Sequence, residues 1–398
     1  MTDSLAGSYD LVMFDLDGVV YLGSEAVPAA PESIRAIVDG GIPVAYVTNN
    51  ASRRAREVGD LLRSLGVPAR DEEVLTSGAA AAGMLADALP AGAPILVVGS
   101  QSLREEIRTV GLTPVDGAAD APVMVVQGYG PTVGWADLAE ATVALRAGAR
   151  WMATNTDATM PSTRGPVPGN GSMVAALTTA LGGRRPDVVV GKPEPALFRV
   201  AAQHRGASHA LVVGDRLDTD IKGAIRAGMD SLLVLTGVST ALDVLRASAQ
   251  QRPTHLATDL RGLSKPDDAT RVPVWTGDDA VAGAWRTSYD AGQLVLTGPR
   301  GADAAEPVDA LRALTAAAWA HPHWSGITAS GPEAADVLAA FGLTKANLAE
   351  HPDATEHPDA TEHADTTDAA DRSTKVQPVE HEDPAKPVRA ACVASTDP

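Results

Sequence analysis

Asp15-Leu16-Asp17 sets two carboxylates one residue apart at the end of the apolar run Leu11-Val12-Met13-Phe14. In an extended segment the side chains at i and i+2 lie on one side, so both acids can address a single reacting centre. One can attack while the other moves protons. Gly18 follows and lets the backbone turn sharply away from the sheet. Asp-x-Asp-Gly also occurs in calcium loops. With Gly18 at the sixth loop position, however, Met13 would stand first and Ser24 twelfth, where a bidentate Glu is needed. An EF-hand is excluded.

Three further stretches end apolar, strand-like runs in the same manner. Val44-Ala45-Tyr46-Val47 leads into Thr48-Asn49-Asn50, and Ser52 is expected to open an amphipathic helix over 53–65. A hydroxyl, amides and a helix N-terminus would then meet at one point, which is an anion site. Val188-Val189-Val190 leads into Gly191-Lys192-Pro193 and places one ammonium at a strand exit. Leu211-Val212-Val213 leads into Gly214-Asp215-Arg216-Leu217-Asp218-Thr219-Asp220, a second acidic cluster that could supply oxygen ligands to a hard cation.

Taken in order, these pieces resemble the four sequence motifs of the haloacid dehalogenase superfamily, over about residues 9–260. The resemblance implies an α/β fold with a Rossmann-like core built on a parallel sheet. It implies Asp15 as nucleophile, Asp17 as general acid/base, and Thr48, Asn49 and Lys192 as phosphate-binding residues. It also implies Mg²⁺ held by Asp15, Asp215 and the backbone carbonyl of Asp17, with Asp220 in support behind them. The superfamily's transport ATPases resemble Asp-Lys-Thr-Gly and its dehalogenases lack the second acid, so Asp17 favours a phosphatase or phosphomutase. The residue types suit that chemistry. A phosphate monoester dianion repels a carboxylate, so attack needs Mg²⁺ and Lys192 to neutralise charge and in-line geometry to position it.

Motif spacing locates a lid. Residues 16–47 leave no room for a large insertion, whereas 49–191 far exceed one crossover helix. Strand-like runs at 95–98 and 123–126 alternate there with helical stretches near 101–109, 135–147 and 172–181. This reads as an α/β cap over 78–187 between core segments 1–77 and 188–262. Its size and position resemble the type-2 cap of the NagD-like, or p-nitrophenylphosphatase-like, branch, which includes phosphoglycolate and glycerol-3-phosphate phosphatases. That branch usually carries Thr-Asn-Pro-Asp where this chain has Thr154-Asn155-Thr156-Asp157. Asn155, Asp157 and Arg164 are the candidates for reading the leaving alcohol, and closure of the cap would exclude water. Such a cap is compatible with a homodimer.

A further α/β unit is expected over 270–343, with Val272-Pro273-Val274-Trp275, a helical pattern from Asp278, a strand at Gln293–Leu296, and helices over 306–320 and 332–341. It resembles the truncated acetyltransferase-like region that follows some bacterial phosphatases of this type, in an interaction or packing role. Gly298-Pro299-Arg300-Gly301-Ala302 could echo a pyrophosphate loop. From Glu350 the hexapeptide Glu-His-Pro-Asp-Ala-Thr repeats with almost no large apolar side chain, so 346–398 reads as a disordered acidic tail.

The net charge of −18, of which −8 lies in the tail, argues against a duplex nucleic-acid ligand, which requires a basic footprint. Cys392 is the single cysteine, so no intrachain disulfide forms. No run approaches the ~18 apolar residues of a membrane span, and a cytoplasmic enzyme without a membrane partner is expected. The expected reaction is Mg²⁺-dependent hydrolysis of a small phosphate monoester. Glycerol 3-phosphate leads because it fits the branch together with the appendage. Phosphoglycolate, pyridoxal phosphate and nucleoside monophosphates are the alternatives within that chemistry. From another class, the chain could be a ligand-sensing module with a vestigial hydrolase core.

Overall fold

The structure, a computed structural model, describes residues 4–160, 164–299, 306–344 and 348. The acidic repeat, Cys392 and the Arg300-Gly301-Ala302 part of the glycine-rich turn lie outside the described residues.

Six strands form one fully parallel sheet in the order His255–Ala257, Asp230–Val234, Ala210–Gly214, Leu11–Phe14, Val44–Thr48 and Val74–Thr76. Leu11–Phe14 is buried along its whole length, as a strand covered on both faces must be. The chain order reverses on either side of this central strand, so a crevice opens at its carboxyl end, where open α/β sheets take ligands. Asp15, Thr48 and Asp215 all stand at that end.

A second sheet is also fully parallel, in the order Val188–Val189, Arg150–Ala153, Met124–Gln127, Pro94–Val98 and Thr113–Val115. Helices Gln101–Thr109, Trp135–Arg146 and Asn170–Ala180 fall close to the expected helical stretches. One strand differs from the sequence reading, which assigned residues from 188 onward to the first core segment. Val188 and Val189 instead pair with Met152 and Ala153, so the polypeptide leaves the second sheet directly into the Gly191-Lys192 turn. The two sheets share one apolar cluster. Leu11, Met13 and Val212 pack through Ala80, Leu85, Leu197 and Phe198 onto Ile95, Val126 and Met152.

The third sheet runs Asp279–Ala282, Trp285–Asp290, Gln293–Thr297 and Gly326–Ser330, with helices Pro307–Ala320 and Pro332–Ala340. The helical pattern expected from Asp278 is overturned. Ala282 pairs with Trp285 across a tight hairpin turn, and Gly283 takes φ +53°, a conformation that L side chains rarely adopt. Pro307–Ala320 packs its apolar face on this sheet and on the core, and Trp319 Nε1 donates to Val244 O at 2.9 Å. No helix among the described residues is long and apolar enough to cross a membrane.

Candidate active site

Asp15 emerges from the central strand with its amide N donating to Val213 O at 2.9 Å, which fixes the first residue after the sheet. Gly18 then takes φ +87° and its N–H donates to Tyr21 O at 2.8 Å, closing the turn. Thr236 Oγ1 ties this turn to the next wall of the crevice by donating to Gly18 O at 2.5 Å. Asp17 is exposed at the mouth of the crevice, while Asp15 is largely covered.

Lys192 is buried, and its ammonium pairs with Asp15 Oδ1 and, at 2.8 Å, with Asp220 Oδ1. Burial works to lower its pKa, but the two carboxylates outweigh it and hold the ammonium above the usual lysine range. Burial pushes Asp15 well above the usual carboxylate range, opposed by Lys192 and reinforced by Asp220 and Asp215.

Asp215 and Asp220 come from the turn after Ala210–Gly214, where residues Leu217–Ile221 form a π-helical turn of the kind that recurs at functional sites. Asp220 Oδ2 accepts from Arg216 N at 3.1 Å, so its other oxygen faces Lys192. Asp215 Oδ2 accepts from Val238 N at 2.7 Å, while its buried Oδ1 has no partner. Burial, with Asp220 beside it, raises the Asp215 pKa to about 6. Two glycines make room for this carboxylate. A Cβ on Gly18 would lie 2.5 Å from Asp215 Oδ2, and one on Gly237 only 2.0 Å from it.

Carboxylate oxygens of Asp15, Asp215 and Asp220 all lie within 4.8 Å of one another. With all three acids ionised, one ammonium leaves the cluster two negative charges in excess, and Asp215 Oδ1 has neither a hydrogen bond nor an ion pair. A hard divalent cation with oxygen ligands fits both deficits.

The second predicted helix starts later than its sequence suggests. Asn50 Oδ1 accepts from the N–H and the hydroxyl of Ser52, at 2.8 and 2.7 Å, and this local turn delays the helix to Ala55–Ser64. Thr48 is buried, with Oγ1 accepting from Asn50 N at 3.1 Å.

Asn49 does not face the crevice as a free amide. Its Nδ2 donates to Lys192 O at 2.9 Å and to both carboxylate oxygens of Asp157 at 3.2 Å, so neither proton is left for a phosphoryl group. Asn155 and Asp157 are likewise engaged within the protein. Asn155 Nδ2 donates to Asn49 O at 2.7 Å, and its Oδ1 accepts from Asp157 N at 3.2 Å. Asn49, Asn155 and Asp157 thus bond to one another in this structure. Arg164 is exposed, on the turn before strand Val167–Pro168. Arg53 is a group the sequence reading passed over. Burial raises the Asp17 pKa, and Lys192 and Arg53 both oppose that rise, so a second cation stands beside the crevice mouth. A basic residue just after the Thr48 turn was the available signal.

Residues 12–113 match the family described as haloacid dehalogenase-like hydrolase, and 189–263 match a second model of HAD-hydrolase-like type. A D-glycerol 3-phosphate phosphatase of Mycobacterium tuberculosis is 43% identical over 320 residues, covering 79% of this chain and 87% of that protein. The chain belongs to the haloacid dehalogenase-like hydrolases. Within that family, a 5′-nucleotidase of Bacillus subtilis is 37% identical over 255 residues, 64% of this chain and 96% of its own. The crystal structure of glycerol phosphate phosphatase from M. tuberculosis in complex with magnesium superposes with TM-score 0.78 at 41% identity, covering 86% of this chain and all of that one. A 4-nitrophenylphosphatase from Thermotoga maritima follows at TM-score 0.61 and 32% identity, covering 65% of this chain and 98% of that one. Beyond the hydrolase region, residues 282–343 match a GCN5-related N-acetyltransferase-like domain.

Proposed function

We propose that this chain is a Mg²⁺-dependent phosphomonoesterase that hydrolyses glycerol 3-phosphate through a phosphoryl-Asp15 intermediate. The six-stranded sheet is assigned to the hydrolase core and the five-stranded sheet to the cap. The four-stranded sheet with its two helices is the acetyltransferase-like appendage. The observation that carries the reading is the convergence of Asp15, Lys192, Asp220 and Asp215, with one buried carboxylate oxygen left unpartnered. The similarity to the glycerol phosphate phosphatase extends past the hydrolase region into the appendage, whereas that to the 5′-nucleotidase does not, and this favours the polyol substrate.

In this reading an Asp15 oxygen forms a bond to phosphorus as the bond from phosphorus to the glycerol oxygen breaks. Asp17 delivers a proton to the departing oxygen, an effect worth typically ~10²–10⁴-fold in rate. A water molecule, deprotonated by Asp17, then attacks phosphorus, releases inorganic phosphate and restores the Asp15 carboxylate. Partial desolvation raises the Asp17 pKa and favours its acid form, while its surface exposure leaves it open to water. Lys192 and the Thr48 hydroxyl hold the phosphoryl oxygens. Asp15, Asp215 and the Asp17 carbonyl would hold Mg²⁺ with Asp220 in support, and the bound ion would offset repulsion between dianion and carboxylate. Arg164, exposed on the cap, is assigned to the leaving alcohol.

The test is phosphate release from glycerol 3-phosphate, phosphoglycolate, pyridoxal phosphate and nucleoside monophosphates, with and without a chelator. The highest kcat/KM is expected on glycerol 3-phosphate, with loss of turnover on chelation. Another preferred substrate would replace the substrate assignment, and inactivity on all four would overturn the enzyme reading.

A further inference from the structure

We infer that Asn49 is a positioning residue, a latch that couples the backbone of Lys192 to Asp157 on the inserted domain. The inference rests on the catalytic reading above and concerns how that site is held together.

Asn49 brackets the backbone of one residue. Its Oδ1 accepts from Lys192 N at 2.8 Å, and its Nδ2 donates to Lys192 O at 2.9 Å. A Cβ on Gly191 would lie 2.6 Å from that Oδ1 and 2.7 Å from Thr154 O, so only glycine lets the turn close this tightly. The ammonium at the other end of Lys192 reaches Asp15 and Asp220. A shift of the Asn49 amide therefore moves the residue that neutralises the reacting centre.

Further contacts of Asn49 reach Asp157 and Asn155 on the insertion and Ser77 on the core segment. Nδ2 also donates to both oxygens of Asp157, and Asn49 O accepts from Asn155 Nδ2 and from Ser77 Oγ at 2.7 and 2.6 Å. Asp157 is itself anchored, because its carbonyl accepts from Gly171 N at 2.8 Å in the first turn of helix Asn170–Ala180. Asn170 Nδ2 donates to Asn155 O at 2.7 Å. A hydrogen-bonded path thus runs from that helix through Asp157 and Asn49 to Lys192. A misplacement of the order of ~1 Å in a group acting on the reacting atoms can cost ~10²-fold in rate, so this path lets the cap's position govern turnover.

The latch differs from phosphate binding in what it disturbs. With Asn49→Ala and Asp157→Ala, kcat on glycerol 3-phosphate is expected to fall roughly tenfold or more, while inhibition by inorganic phosphate stays within about twofold of wild type. The double variant should be no slower than the worse single one, since both break the same path. Asp157→Asn, whose amide oxygen still accepts from Nδ2, should recover most of the lost rate. Additive losses, or phosphate inhibition weakened tenfold in Asn49→Ala alone, would overturn the latch. Hydrogen exchange supplies a readout without turnover. Peptides covering residues 189–195 should exchange faster in Asp157→Ala than in wild type, and unchanged exchange would overturn the latch even if the chain hydrolysed no phosphate ester.

Discussion

The two ends of the six-stranded sheet each carry a buried polar cluster, and the two are built on opposite principles. At the amino end of the strands, Tyr9 Oη donates to Asp230 Oδ2 at 2.9 Å and lies 3.3 Å from His255 Nε2, while His255 Nδ1 lies 3.1 Å from Thr270 Oγ1. Asp267 is tied to Arg271 at 2.8 Å. Both ring nitrogens of the buried histidine have neighbours with which to bond. At the carboxyl end, three carboxylates crowd one ammonium and a buried oxygen of Asp215 is left bare. A satisfied network stabilises a unique fold, whereas an unsatisfied one stores an electrostatic deficit that a ligand can fill. The same sheet holds both, and the deficit lies where the proposed chemistry is placed.

The largest break in the comparison comes from Asp15→Asn, which removes the proposed nucleophile. Turnover is expected to fall to background in a phosphate-release assay, and near-normal turnover would refute the assignment. Asp17→Asn retains the proposed nucleophile and removes the proposed proton donor, so kcat should fall by ~10²–10⁴-fold. A drop of less than threefold would remove Asp17 from the chemistry.

Gly237→Ala sharpens the comparison by pressing on the bare carboxylate. The added methyl would meet Asp215 Oδ2 at 2.0 Å, so Asp215 must move. Mg²⁺ binding by calorimetry should weaken by roughly tenfold, the usual lower size of losses when a metal ligand's supporting neighbours are changed. Unaltered affinity would show that Asp215 is not a ligand.

At the satisfied end the expected effect is on stability and not on catalysis or metal binding. Burial, aided by Arg271, lowers the His255 pKa to about 4, against a reference near 6.5. Between those values the unfolded chain binds a proton that the folded chain refuses. Stability is therefore full above pH 6.5, falls as pH drops toward 4 and stops falling below it, by at most ~3 kcal/mol. Urea melts at pH 7 and pH 5 should reveal the loss, and His255→Gln should flatten it. An equal slope in the variant would assign the effect elsewhere.

Much of the site could be read from strand ends. Asp15, Thr48, Lys192 and Asp215 each follow an apolar run, and hydrophobic patterning finds such runs without knowing their partners. What escaped depends on distance through space. Asn49 and Lys192 are 143 residues apart, and nothing local to Thr48-Asn49-Asn50 says that the amide is occupied. Gly237 lies in a turn whose glycine is demanded by Asp215, in the turn after a different strand. The edge strand Val188–Val189 has the same composition whichever sheet it joins, and only pairing with Met152 and Ala153 decides. The stretch from Asp278 misled for a local reason, because alanine-rich Asp-Asp-Ala-Val-Ala suits a helix until Gly283 turns it into a hairpin.

The most direct measurement is an acid-quenched single turnover with phosphorus-labelled glycerol 3-phosphate, followed by peptide mapping. Label on the peptide bearing Asp15, absent from Asp15→Asn and absent when Mg²⁺ is chelated, is the expected result. Phosphate release in wild type with no label on that peptide at any quench time would contradict the covalent mechanism and the role given to the carboxyl end of the sheet.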